Sequence, residues 1–316
     1  MMTKSLHKNV LAWLTCLLLL MSGCTRDEQE SMPPQRVDVT MCSAISAMTL
    51  SSDIDNKIIS LRLLLFDSTG ALIYNKKQMD NSPFRLRIVA GTVRAIMVAN
   101  EEESWLLDQV TSPEELSLKE FQVNRPTSIP MYSDATYTIS PEARTFTSTL
   151  TRAVVKVTIN MSCNFATYKT TFKPYSIGIH SVAIKGYLTP RPYVFSTTAQ
   201  TYNQLDPGDI ITTATDLRTR DGGLHFYIPE KLISDTKYFS YIMISGYAGT
   251  APDTLIFYTI AIGDCASKMY DTASVPFERL SAADLSLTRN THITVTVTLK
   301  TVSNKAPGVL HVRMVR

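Results

Sequence analysis

Short runs of alternating apolar and polar residues, rich in β-branched and aromatic side chains, recur along nearly the whole chain and constrain it to form sheets. FRLRIV at 84–89 puts Phe84, Leu86 and Ile88 on one face and Arg85 and Arg87 on the other, the period of a half-buried strand. VDVTMCSAISAM at 37–48 alternates in the same way, with Val37, Val39 and Met41 on one face. IISLRLLLF at 58–66 is denser, as expected of a central strand covered on both faces over part of its length. Asp67-Ser68-Thr69-Gly70 then forms a turn, and ALIYNKK leaves it as the second arm of a hairpin.

The pattern continues through TVRAIMVAN, YTIS, TFTSTLTRAVVKVTINM, IGIHSVAIKGYL, LHFYIPE, YFSYIMISGYA, TLIFYTIAI, THITVTVTLK and VLHVRMV. Each is enriched in residues that favour a pleated surface. The 15 prolines concentrate between these runs, and 189–223 reads as extended loops. Residues 101–121 break the pattern: acids open two helix-period segments split by Ser112-Pro113, read as small surface helices. The expectation is an all-β protein with minor helix. At 316 residues the chain is long for one core. Two tandem β-sandwich domains, 37–150 and 151–316, are expected, with the long run at 145–161 crossing between them.

Residues 1–23 read as a signal peptide, with Lys4 and Lys8 before an apolar run from Val10 to Met21. That run is short of the roughly twenty residues that span a bilayer. Ser22-Gly23-Cys24 resembles a bacterial lipobox, in which the Cys24 thiol is acylated and becomes the mature N-terminus. Ordinary cleavage that leaves Cys24 a free thiol is the alternative. Residues 24–36 form a hydrophilic tether whose acids resemble a surface-export signal of Bacteroidetes lipoproteins.

There are 31 basic and 28 acidic residues, and the leader takes two of the lysines with it. No charge imbalance points to nucleic acid. Beyond Cys16 and Cys24, the cysteines are Cys42, Cys163 and Cys265; such spacings make neither a disulfide scaffold nor a zinc site. His7, His180, His225, His292 and His311 are isolated in sequence, so no metal or other cofactor is expected. Hydrolase, nucleotide-phosphate and dinucleotide motifs are absent. Glu101-Glu102-Glu103 and Glu114-Glu115 read as solvated helix starts, not as a general acid and base. The chain is therefore expected not to be an enzyme; a hydrolase would have to be assembled from residues that the fold alone brings together. Tyr187, Tyr193 and Tyr202, in the loop-rich region, are candidate contacts for a glycan or host protein. Packing within the core or loops is the plainer reading of these tyrosines.

Taken in order, six features resemble the fimbrillin family of Bacteroidales: the leader ending at Cys24, LRLLLFDSTGALIYN at 61–75, VAGTVRAIMVAN at 89–100, LTRAVVKVTI at 150–159, FYIPEK at 226–231 and LTRNTHITVTVTL at 287–299. The resemblance implies two transthyretin-like β-sandwich domains and export as a lipoprotein of the outer membrane. It also implies assembly with other fimbrial subunits by strand exchange, in which a sandwich lacking an edge strand accepts one from its neighbour. Val37, Val39 and Met41 would then fill the groove, and Ile59, Leu61, Leu63 and Leu65 would form its floor.

In polymerising members of that family an arginine-specific protease removes the first strand. Here no Arg or Lys stands between Arg36 and Lys57, and the chain stops at VLHVRMVR without a tryptophan-containing extension. Both departures favour an anchor, terminal or accessory subunit over a main shaft subunit. Val309 to Val315 remain a possible short donor. A surface lipoprotein binding a glycan or host ligand on the same fold is the alternative.

Overall fold

The alternating runs of the first half become β1 (Arg36–Ile45), β2 (Leu61–Phe66), β3 (Leu72–Gln78), β4 (Phe84–Val89), β5 (Gly91–Ala99), β6 (Glu120–Gln122), β7 (Met131–Ile139) and β8 (Thr145–Arg152). The computed structural model describes residues 35–47, 53–122, 128–163, 172–183, 185–190, 193–195, 224–248, 255–263, 270–271, 281–299 and 310–315. The expected leader, and the tether as far as residue 34, lie outside them.

Seven strands run in the order β3-β2-β5-β7-β8-β1-β4. β8 turns the corner of this sheet. Its last two residues pair with β7, at Met131↔Arg152 and Tyr132↔Thr151, whereas Thr145–Leu150 pair with β1. The sheet thereby folds over itself, and the inward faces of β1, β2, β4, β5 and β7 close one core containing Val39, Met41, Leu63, Leu65, Phe84, Ala95, Met97 and Ile139. At the β2–β3 turn, Gly70 adopts φ 85° and Asp67 Oδ1 accepts the Thr69 amide at 2.8 Å, as the turn chemistry requires.

β2 is buried along its whole length. Its outward residues Leu64 and Phe66, with Ile96 and Val98 of β5, are covered by Trp105, Leu107, Val110, Leu116 and Phe121. The segment 101–121 was expected as small surface helices. It is instead two 3-10 turns, Glu103–Trp105 and Leu107–Gln109, and one helical turn, Pro113–Leu116, and it lies as a lid on β2 because Trp105, Leu107, Val110 and Leu116 pack against Leu64 and Phe66. Glu101, expected to be solvated, is also buried. It receives Arg62 Nε at 2.6 Å and Nη2 at 2.9 Å, with Lys77 at 2.9 Å.

The second half comprises β9 (Val154–Cys163), β10 (Phe172–His180), β11 (Lys185–Tyr187), β12 (Tyr193–Phe195), β13 (Leu224–Pro229), β14 (Lys231–Ile233), β15 (Ser240–Ala248), β16 (Leu255–Ile262), β17 (Tyr270–Asp271), β18 (His292–Leu299) and β19 (Leu310–Val315). β12 lies within the stretch expected to be loops and pairs in parallel with β14. Sheets β13-β9-β18-β19-β17 and β10-β15-β16 enclose an Ile- and Val-rich core including Val157, Ile179, Ile242, Ile262 and Val295. The topology repeats that of the first half. β9 lies antiparallel to β13 and parallel to β18, just as β1 lies antiparallel to β4 and parallel to β8. The run 145–161 breaks at Ala153, between β8 and β9. Ala153, Val154 and Leu188 complete the cluster over β2, and β6 pairs with β11, so apolar and backbone contacts join the halves.

Lys231 is 1% exposed and donates to the carbonyls of Ser181 and Tyr238, the latter at 2.6 Å. Burial pushes its ammonium from 10.5 down to about 7. Between those two values the unfolded chain holds the extra proton, so stability rises with pH across that window and is flat below it. We expect the denaturant midpoint to rise from pH 7 to pH 10 more steeply in the native chain than in Lys231→Met; equal slopes would contradict this.

Candidate strand-exchange site

β1 alternates because its two faces meet different surroundings. Val37, Val39 and Met41 point inward and are buried, whereas Asp38 and Thr40 lie on the opposite face. On one side β1 pairs antiparallel with β4, through Val37↔Ile88, Val39↔Leu86 and Met41↔Phe84. On the other it pairs parallel with β8, from Thr40↔Thr145 to Ile45↔Leu150. Further bonds extend both ends: the Ala90 amide donates to Gln35 O and the Ser46 amide to Leu150 O, each at 2.8 Å.

β1 is thus an interior strand, which corrects the expectation of an edge. Among the described residues β4 has no strand neighbour other than β1. Removing β1 would expose backbone on β4 and β8 together and leave a slot lined on two sides. Its inner wall contains Leu61, Leu63 and Leu65, in the same core cluster as Val37, Val39 and Met41. Ile59 does not belong to that wall. It precedes β2, is 40% exposed, and its amide donates to Asn100 Oδ1 at 2.8 Å. The alternation of β2 does not extend back to Ile59 because the chain bends at Ile59 and the β2 ladders begin only at Leu61.

A buried polar network closes the exit of β1, and no sequence pattern pointed to it. The Arg152 guanidinium donates to Ser46 O at 2.9 Å, Asp55 O at 2.8 Å, Asn56 Oδ1 at 2.6 Å and Asn290 Oδ1 at 2.9 Å. Asp55 is fully buried; its carboxylate takes Lys156 Nζ at 2.6 Å and the Tyr227 hydroxyl at 2.8 Å. Burial lowers the Arg152 guanidinium below its ordinary value, and the Asp55 charge opposes that shift. Lys156 stands in the alternating run VVKVTI, where a charged residue ordinarily signals solvent.

Tyr187 is half-buried in β11, with its carbonyl accepting from Arg289 at 3.1 Å. The side chain of Tyr193, and all of Tyr202 and Cys24, lie outside the described residues. The structure therefore does not gather the three tyrosines into one described site. His225 and His292, isolated in sequence, both bond Thr158 Oγ1, at 2.8 and 2.7 Å. Among the described residues no helix is long and apolar enough to cross a membrane. Val309 is outside the described residues, and Leu310–Val315 pair with β18 as part of their own sheet.

The chain has the fold of Bacteroidales fimbrial proteins, two β-sandwiches in tandem. Among solved structures it is similar to a candidate cell-adhesion protein of Bacteroides eggerthii, with a TM-score of 0.59, 15% identity, and 89% of this chain and 95% of the other covered. A tip fimbrial protein of Porphyromonas gingivalis aligns with a TM-score of 0.58, 14% identity and coverage of 89% and 98%. A fimbrilin of the same species aligns with a TM-score of 0.59, 14% identity and coverage of 88% and 96%. No family model matches the sequence, and no curated protein matches it.

Burying an unpaired carboxylate beneath β1 is costly, so Val39→Asp is expected to lower stability by about 3 kcal/mol or more. Ile59→Asp is expected to cost less than about 1 kcal/mol, as at other exposed positions. Urea denaturation of the two variants measures the difference, and similar losses would contradict the placement of both residues.

Proposed function

We propose that the protein is a non-enzymatic fimbrial subunit of the bacterial surface that docks with other subunits by β-strand exchange. The observation that carries this reading is the position of β1. The first strand of the fold alone bridges β4 and β8, and its inward residues complete the core. A strand from another subunit with the same alternation would recover both ladders and the buried apolar surface, which is the physics of β-augmentation. The fimbrial proteins of the same fold support the class of assembly.

Within that class we assign an anchor, terminal or accessory role in which proteolysis removes neither β1 nor a lipid on Cys24, so that the chain is held at the outer membrane and another subunit's strand enters the slot only by displacing β1. Arg36 lies within the ladder, opposite Val89. Lys57, the next basic residue, has its carbonyl held by Asn100 Nδ2 at 2.8 Å. A trypsin-like protease needs an extended, unpaired substrate, and the backbone at both positions is engaged. Mass spectrometry of the N-terminus of protein recovered from the native cell surface tests the role. A start at acylated Cys24 is expected, whereas a start between residues 45 and 58 would reassign the chain to a polymerising subunit.

A further inference from the structure

β1 leaves its slot at Ser46, and the chain returns at Asp55 and Asn56; one buried side chain grips both points. Arg152, 1% exposed, reaches Ser46 O with Nη1, Asp55 O with Nε and Asn56 Oδ1 with Nη2. The second half braces the grip. Asn290, with φ 57°, accepts from Arg152 through Oδ1, donates through Nδ2 to Ser46 Oγ at 3.1 Å, and is held by its own amide on Val154 O at 2.8 Å.

We propose that Arg152 is a clasp on β1, a positioning residue that ties the strand to the second half and sets the register of any strand occupying the slot. The inference rests on the strand-exchange reading and adds a control to it. Departure of β1 removes Ser46 O from a guanidinium that water does not reach, and a buried donor left unmatched is costly. The same donor selects an incoming strand, which must place a carbonyl where Ser46 places its own. A strand ending short of that position fills the apolar slot but leaves the clasp open.

The test uses the full chain with a specific protease site inserted within 48–52, so that cleavage leaves β1 held by non-covalent contacts alone. Native mass spectrometry then follows loss of the β1 fragment. Arg152→Met is expected to release it roughly ten-fold faster or more, the effect of about one charge-assisted hydrogen bond. Asn290→Ala should give a smaller acceleration, and it tests the clasp on its own should Arg152→Met not fold. Lys231→Met removes a buried ammonium that bonds Ser181, Tyr238 and Ser240 and none of the clasp residues. It should lower the thermal midpoint and leave release unchanged, an outcome that a merely structural role for Arg152 would not produce.

Equal release from the native and Arg152→Met chains, or release from neither, overturns the clasp. A synthetic peptide of residues 35–47 added to the emptied slot separates the two levels of the argument. Uptake with unaltered release rates overturns only the clasp, whereas failure of the emptied slot to take the peptide overturns strand exchange itself.

Discussion

The burial of β2 on both faces is the constraint from which most of the structure follows. A strand with Leu61, Leu63 and Leu65 on one face and Leu64 and Phe66 on the other needs two apolar partners. Each fully buried side chain of this kind contributes roughly 1.5–3 kcal/mol. The inner face is satisfied by the folding over of the seven-stranded sheet. The outer face recruits the lid at 103–121 and, through Val154 and Leu188, the second half of the chain. Arg62 is the polar exception on this strand, and its burial explains the cluster of Glu101, Asn75 and Asp108 around its guanidinium. A buried charge is tolerated only when its donors are matched.

Under the proposed exchange, the repeated topology shows why β1, and not its counterpart, would be the strand replaced. β1 and β9 occupy the same place in their respective halves, each flanked by one antiparallel and one parallel neighbour. β9 follows β8 with only Ala153 between them, and its Lys156 is tied to Asp55, so it is continuous with the junction. β1 precedes every other described strand, and a strand at the outer end of a fold can be replaced without cutting through the core. Its slot is also demanding: an occupant must supply two hydrogen-bonded edges and an apolar face in one register.

The polar network at the exit of β1 connects that slot to the junction between the halves. Arg152 ends β8, Lys156 lies in β9, Tyr227 in β13, and Asn290 immediately precedes the approach to β18. These residues are far apart in sequence and meet around Ser46 and Asp55. The slot and the seating of the second half are therefore parts of one structural unit.

What the sequence by itself determined was local. Alternation placed Val37, Val39 and Met41 on one face, density marked β2 as covered on both sides, and Asp67 to Gly70 marked the turn. Each of these depends on the two-residue period of a strand or on the backbone of a single turn. Ile59 was misplaced because the same period, carried two residues too far, cannot register the bend at Ile59 where the ladder of β2 has not yet begun. The polar side chains were misread for a related reason. Glu101 and Lys156 look solvated beside their neighbours in sequence, and only partners brought from elsewhere, Arg62 and Asp55, make their burial affordable. Tertiary structure alone decided that β1 is interior, that the lid is buried and that Arg152 holds the exit. Strand order and charge pairing are properties of long-range contacts, on which a local period carries no information.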